Sequence, residues 1–540
     1  MEIVIVIVFV VVVTIIITVY SKVQHEKKLN AHILSSFGNV PSERDLNMDS
    51  IRQYAHRITH HDLRIDSITW SDLDMDNVYK RINACLSSVG QEYLYNCLHQ
   101  PYFDDKELLE REKLIKFFED NPKERFETQI ALAKLGESNN NGIASLIFGS
   151  GITLLLRHYI YNVLAILPLV FATILIFSVP VGVLGLILSF SINVVVYNRA
   201  MRFINIEIPS IAYFSAMMKC CKRLYKIESL NKFDIMTKLQ KPFNTFKKVI
   251  TKAPSARPGE SADISEMFWM YFSIMFLYDI RHYNNFMKMV TEHNHDFHHI
   301  YKSIGEIDVA LSILSFRLSL PTFSTPEFGS EHELDFEDIF HPLIPDPVTN
   351  THTIDRGSLI TGSNASGKST FIKTLAINGI LAQTIFTCTA KRFKTRFSII
   401  VTSMAMRDDL LESESYFIVE IKSLKRILDL VKIYPCICYI DEILRGTNTI
   451  ERIAASASIL TYLDKQDCLC IAASHDIELT QISDYRNYHF CEQVTDDGIM
   501  FDYKLKDGPT TTRNAIKLLE VMGFDGEIVE RAVELAEGRG

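Results

Sequence analysis

Residues Gly362, Ser363, Asn364, Ala365, Ser366, Gly367, Lys368 and Ser369 read G-x-x-x-x-G-K-S. The pattern needs a strand, a tight turn and a helix leaving it, which few folds supply. Ser358 to Thr361 (Ser-Leu-Ile-Thr) reads as the end of a buried strand, and Phe371 to Leu381 has the apolar spacing of a helix. Gly362 and Gly367 let the backbone fold tightly, so that successive N–H groups point at phosphate oxygens. The helix N-terminus adds its positive dipole end. Lys368 is expected to reach the β- and γ-phosphates of ATP, and Ser369 to hold Mg²⁺. With Thr370 at its end, the whole run Gly362–Thr370 is the expected nucleotide-binding segment.

A second half of the site follows. Cys436-Ile437-Cys438-Tyr439-Ile440 reads as a central strand of a parallel sheet, ending in Asp441-Glu442. Open α/β sheets bind ligands at that end. Asp441 suits the Mg²⁺ shell, and Glu442 suits the polarisation of an attacking water. A third strand, Cys468 to Ala473, ends in Ser474-His475, where a histidine can meet the γ-phosphate or the water.

The chain has 540 residues, enough for two to four domains, and a net charge of −9. Bulk charge therefore does not draw it to polyanions, and any nucleic-acid site is a local patch. Its ten cysteines are scattered without a C-x-x-C pair, which reads as reduced, buried thiols rather than a metal site.

Ile3 to Tyr20 is an almost unbroken apolar run, long enough to span a bilayer as a helix. Glu2 precedes it and Lys22, Lys27 and Lys28 follow, the reverse of a signal peptide. The reading is an uncleaved anchor in the cell (inner) membrane, N-terminus outside, with the rest cytoplasmic. Tyr159 to Tyr197 carries no formal charge and fits two further spans, roughly Tyr161–Ser178 and Val181–Tyr197, joined at Ser178-Val179-Pro180. Met267–Tyr278 is too short to span and reads as a core helix.

Residues 30–60 look like a linker, and residues 62–135 and 262–320 carry helical spacing. Lys219 to Arg257 holds eleven Lys/Arg against two acids. Lys232, Lys238, Lys241, Lys247 and Lys248 within it can grip double-stranded DNA through its phosphates. They can equally lie on anionic lipid head groups, or form a solvated helix face. Pro321 to Pro347 is acidic and Pro-rich and reads as a hinge.

Taken together these motifs resemble the MutS mismatch-repair ATPases, more closely the short membrane-anchored relatives that lack the mismatch-recognition domain. Gly362–Thr370 resembles the family's phosphate loop. Asp441-Glu442-Ile443-Leu444-Arg445-Gly446-Thr447-Asn448-Thr449 resembles its DE-x-x-RGT-x-T segment, and Ser474-His475-Asp476-Ile477-Glu478-Leu479 its T-H-x-x-E-L. Asp408-Asp409-Leu410, followed by Ser415 and Phe417 to Glu420, is similar to the segment that reaches a partner's nucleotide. Ile307-Asp308 and Ser87-Ser88-Val89-Gly90 resemble parts of the helical core. The resemblance implies an α/β ABC-type P-loop ATPase domain preceded by an all-α core/lever region, with three predicted transmembrane helices. It implies a head-to-tail homodimer in which Ser415 contacts the other subunit's ATP, so that ATP favours closure. Glu412-Ser413-Glu414-Ser415-Tyr416 lacks the family's Gly, and its two carboxylates should weaken that contact. Phe117-Phe118-Glu119 matches the family's wedge pattern but lies inside an amphipathic helix, and reads as coincidence.

The resulting division is an anchor (1–21), a linker (22–61), a first helical part (62–158), a transmembrane hairpin (159–198), a basic helical core/lever (199–328), the ATPase domain (329–508) and a C-terminal helical segment (509–540). Three functions fit. One is a membrane-tethered ATPase whose arms close on DNA, without a mismatch-reading domain. Another is a mechanoenzyme that moves the hairpin or a protein partner. A third is an ABC exporter half, which the DE-x-x-RGT-x-T segment argues against.

Overall fold

Apolar residues at helical spacing recur through much of the first 320 positions, and the described residues there form helices. Short apolar runs follow, and they form a sheet. The computed structural model describes residues 2–42, 46–58, 63–137, 158–204, 208–247, 264–363, 366–404, 416–444, 447–482, 484–495, 498–509, 516, 519 and 523–536. The chain divides into two compact units. One comprises Met1–Thr59, Ala84–Asn96 and Lys113–Leu314; the other comprises His60–Asn83, Cys97–Glu112 and Ser315–Gly540.

The helices, in chain order, begin with α1 (Glu2–Ser36), α2 (Met48–Arg57), α3 (Ser67–Asp72), α4 (Met75–Ile82), α5 (Ser88–His99), α6 (Lys106–Asp120) and α7 (Pro122–Ala133). Then come α8 (His158–Ile174), α9 (Val179–Ile204), α10 (Ile208–Leu224), α11 (Asp234–Phe246), α12 (Ile264–Phe276), α13 (Tyr278–Glu292) and α14 (Asn294–Leu318). The sheet region contributes α15 (Lys368–Ile385), α16 (Tyr416–Leu430), α17 (Thr449–Asp464), α18 (Leu479–Ile482) and α19 (Gly526–Ala536).

In the helical unit, the Asp308 carboxylate accepts from the Ser87 N–H (2.9 Å), the Ser87 hydroxyl (2.6 Å) and the Leu86 N–H (3.0 Å). It thereby caps the start of α5. Gly90 is required beside it, because a Cβ there would stand 2.1 Å from an Asp308 oxygen. One turn on, the Tyr301 hydroxyl donates to the buried Glu92 (2.5 Å), whose carboxyl burial pushes up to about 8. Phe118 is buried and Phe117 packs on Phe233, so this pair is core.

The stretch read as a linker is largely helical. The helix α1 continues to Ser36, well past residue 21, and α2 forms beyond it. Ile51, Tyr54 and Ala55 bury one face of α2; Tyr54 stacks on Tyr301 and shares a 2.8 Å hydrogen bond with His298. The amphipathic stretch is too short to stand out from its polar surroundings. The side chains of residues 2–18, on which the anchor reading rests, lie outside the described part.

The helices α8 and α9 pack as a hairpin, with α12 and α13 against both. Three spans were expected, but among the described residues one stretch, Val179–Arg202, is long and apolar enough to cross a membrane. The first arm falls short because α8 has only 17 residues, with Pro168 inside it. That gives about 25 Å, against a hydrocarbon core of about 30 Å. Val163, Leu169, Phe177, Val181, Ile187 and Leu188 are nonetheless exposed on the hairpin, Phe177 by 88%. Inside it Asn193, fully buried, donates through Nδ2 to Leu164 O (3.3 Å) and Met275 O (2.7 Å), tying three helices together.

In α11, Met236, Leu239, Pro242 and Phe246 face the core. Lys238 and Lys241 are exposed, as are the flanking Lys232 and Lys247. Lys238 pairs with Asp234 at 2.6 Å. Lys248 lies outside the described residues.

Among the described residues the other unit holds twelve strands with the helices of the sheet region. They are β1 (Glu327–Phe328), β2 (Leu334–Ile339), β3 (Asn350–Ile354), β4 (Ser358–Thr361), β5 (Arg392–Thr395) and β6 (Ile399–Ser403), then β7 (Cys436–Asp441), β8 (Cys468–Ala473), β9 (Arg486–His489), β10 (Glu492–Thr495), β11 (Gly498–Phe501) and β12 (Lys506–Asp507). The main sheet runs β12-β9-β4-β8-β7-β6, parallel except at β12. Its central strands β7 and β8 are buried along their length and apolar up to Asp441 at the end of β7, as a covered parallel sheet requires. A second sheet runs β1-β5-β2-β3. It overturns the hinge reading of Pro321–Pro347, which contains β1 and β2. The acids there are ion-paired: Arg392 with Glu327 and Asp335, Lys391 with Glu337, and Lys394 with Glu333.

Candidate functional site

Three strands of the main sheet place the site. The strand β8 lies between β4 and β7, and the pairings Ile360 with Ala473 and Asp441 with Ala473 set their C-terminal ends level. The Gly362–Gly367 turn, Asp441-Glu442 and Ser474-His475 thus leave adjacent strands on one edge.

Each glycine in the turn answers a backbone demand. Gly362 has φ +141°, and a Cβ there would stand 2.6 Å from Phe490 O. Gly367 has φ +98°, with the Tyr503 ring 3.0 Å from where a Cβ would be. The Ser366 hydroxyl donates to Ser363 O at 2.7 Å and ties the turn together. Lys368 opens α15 and is 2% exposed. Its ammonium donates to Gly362 O (2.5 Å) and Ser363 O (2.7 Å), which hold it at the turn. Ser369 is half-buried and Thr370 exposed, in the same first helical turn. Asn364 and Ala365 lie outside the described residues, as does Ser415.

Asp441 is 5% exposed, and its Oδ1 is buried without a hydrogen-bond partner among the described residues. A buried, orphaned carboxylate oxygen is costly unless a cation or donor meets it, and a hard divalent ion takes oxygen ligands. Asp441 and Ser369 therefore fit Mg²⁺. Glu442 sits in the left-handed region, φ +61°, with its N–H donating to Ala473 O at 3.0 Å. Its carboxylate lies 2.5 Å from His475 Nε2. Both residues expected to act on the water are therefore in contact.

Some residues that shape the site had no signal in the motifs. Arg452 on α17 clasps Asp476 through Nε (2.8 Å) and Nη2 (2.6 Å), next to His475. Asn448 caps α17, accepting from the Glu451 N–H at 3.0 Å. A cavity of about 370 Å³ opens beside Gly367 and Thr370, lined also by Ile344, Pro347, Val348 and Tyr503. His341 also lines it, and burial, with Lys373 nearby, pushes its imidazole down to about 4. It is therefore neutral at pH 7. Tyr503 lies far beyond Gly367 in sequence, so no local pattern connects the two.

Of the lysines singled out in the basic stretch, Lys232, Lys238, Lys241 and Lys247 belong to the helical unit.

Residues 358–538 match the family model of MutS domain V. The chain is similar to the DNA mismatch repair protein MutS of Thermotoga petrophila, 29% identical over 267 residues, covering 47% of this chain and 33% of that protein. The Natronomonas pharaonis protein of the same name is 32% identical over 202 residues, covering 36% of this chain and 23% of that protein. The Petrotoga mobilis protein of that name is 33% identical over 190 residues, 33% of this chain and 22% of the relative. The similarity thus spans a third or less of these relatives' own length.

Proposed function

We propose that this chain is a membrane-anchored, MutS-like ATPase that binds and hydrolyses Mg²⁺-ATP as a head-to-tail homodimer and closes its helical arms on DNA. The carrying observation is the level alignment of the Gly362–Thr370 turn, Asp441-Glu442 and His475 on adjacent strands. The match to MutS domain V covers the same residues. In this reading the turn's N–H groups and Lys368 bind the phosphates. The cavity beside Tyr503 takes the base, an aromatic face against an aromatic ring. Asp441 and Ser369 hold Mg²⁺, which neutralises phosphate charge when bound. Glu442 orients the attacking water and accepts its proton, and His475 fixes the carboxylate that does so. Ser415 reaches the partner subunit's nucleotide.

The exposed apolar face of the α8–α9 hairpin supports insertion in the membrane, with α1 as the anchor and the N-terminus outside. The hairpin tip then faces out and the basic helix α11 faces in. Cysteine labelling can test this, but not at Cys85 or Cys388, since both are buried and would escape a reagent on either side. Val179→Cys at the exposed tip should react with a membrane-impermeant maleimide in intact cells. Lys241→Cys should react only after lysis. The opposite pattern inverts the topology.

For DNA, the exposed Lys232, Lys241 and Lys247, with Lys238 and Lys248, are the proposed phosphate contacts. Binding by the full chain in nanodiscs should be sequence-independent, and each lysine-to-Glu change at a contact should lower the log–log salt slope by about 0.9. A chain that hydrolyses ATP but ignores DNA at about 50 mM salt removes the clamp. The exposed hairpin then favours the second reading, an ATP-driven membrane mechanoenzyme acting on a protein partner.

A further inference from the structure

The turn that follows Asp441 is strained. Glu442 and Leu444 both adopt left-handed backbone angles, φ +61° and +59°. A side-chain-bearing residue pays for that conformation, a branched one most, and it persists only where the surroundings over-determine it. Three hydrogen bonds do so. The Glu442 N–H donates to Ala473 O (3.0 Å), the Ser456 hydroxyl donates to Ile443 O (3.3 Å), and the Leu444 N–H donates to the Glu420 carboxylate. The first two come from the neighbouring strand and from α17. The third is a charged side chain in the second turn of α16, and charge-assisted bonds of this kind are the stronger class.

The helix α16 is itself fixed. Arg426, six residues beyond Glu420, donates to Thr402 O on β6 and to Asp66. Leu424 and Ile427 of α16 pack in one core cluster with Ile443 and Leu444. A carboxylate on a helix held in this way is a rigid strut, and the backbone it holds carries Glu442 two residues away.

We infer that Glu420 is a positioning residue: through the Leu444 N–H it holds the strained Glu442–Leu444 turn in the geometry that keeps the Glu442 carboxylate against His475. This rests on the reading of Glu442 as the catalytic carboxylate. The helix α16 starts at Tyr416, directly after Ser415, so a shift of that helix on contact with a partner's nucleotide would pass to the same subunit's Glu442–Leu444 turn through Glu420 and the packing of Leu424 and Ile427.

The test compares Glu420→Ala and Glu420→Gln in the full-length chain, with three readouts. Gln keeps an oxygen that can accept from Leu444, and Ala does not. Glu420→Ala should leave ATP affinity within about twofold and lower kcat about tenfold or more with KM little changed, the pattern of a displaced reacting group. Amide hydrogen exchange in the peptide spanning residues 441–444 should rise about tenfold or more, reporting the freed turn. Glu420→Gln should bring both kcat and exchange most of the way back. Unchanged exchange in Glu420→Ala overturns the proposal, as does a loss of ATP binding that parallels the loss of kcat. If the unmutated chain turns over no ATP, the enzymatic reading fails, while exchange still decides whether Glu420 holds the turn.

Discussion

Glu442→Gln is expected to keep ATP bound and to cut turnover by about 10²-fold or more, the scale of losing a general base. The amide matches the carboxylate in size, so the strained turn and its bonds to Ala473 and Glu420 have no reason to change. What disappears is the capacity to take a proton from water and the negative charge 2.5 Å from His475 Nε2. Phosphate release measured beside calorimetric ATP binding separates these effects. Turnover equal to that of the unmutated chain would remove Glu442 from the role.

Lys368→Ala should act at the earlier step. Its ammonium is buried, aimed at the turn, and donates to Gly362 O and Ser363 O. Alanine removes the cation meant for the phosphates and also the tie between the start of α15 and the turn. Losing two charge-assisted hydrogen bonds to the β- and γ-phosphates amounts to about 3 kcal/mol or more, roughly 10²-fold in ATP affinity. Lys368→Arg should not rescue, since a planar fork does not fit where a compact ammonium sits. ATP affinity within threefold of the unmutated chain in Lys368→Ala would contradict the phosphate-binding role. Lys368→Ala should lose binding and turnover together, whereas Glu442→Gln should lose turnover alone.

The core of the site was legible because its information is local. Leu359-Ile360, Cys436–Ile440 and Cys468–Ala473 are apolar runs, and each is followed by polar residues of the candidate site. The neighbouring sheet was not legible. Leu334-Asp335-Phe336-Glu337-Asp338-Ile339 looks like solvated loop until Lys391 and Arg392, more than fifty residues on, supply the opposite charge. Glu420 hid for the same reason: at the start of an amphipathic helix it passes for a solvated acid, and only the fold brings the Leu444 N–H to it. In the helical unit the pairing of Asp308 with Ser87 spans 221 residues. Those residues stood out by resemblance, and the contact between them could not be read from spacing.

Asn193 also sets an order of events during synthesis. The ribosome delivers α8 and α9 together, so the Leu164 acceptor is in hand when Asn193 emerges, but Met275 comes 82 residues later. Until then one amide proton of a residue destined to be fully buried has no acceptor from α12, a state that costs on the order of 1–3 kcal/mol. The hairpin is therefore born incomplete, and the arrival of α12 closes it. The basic stretch lies between the two in the chain, so it is already made when the bundle is finished.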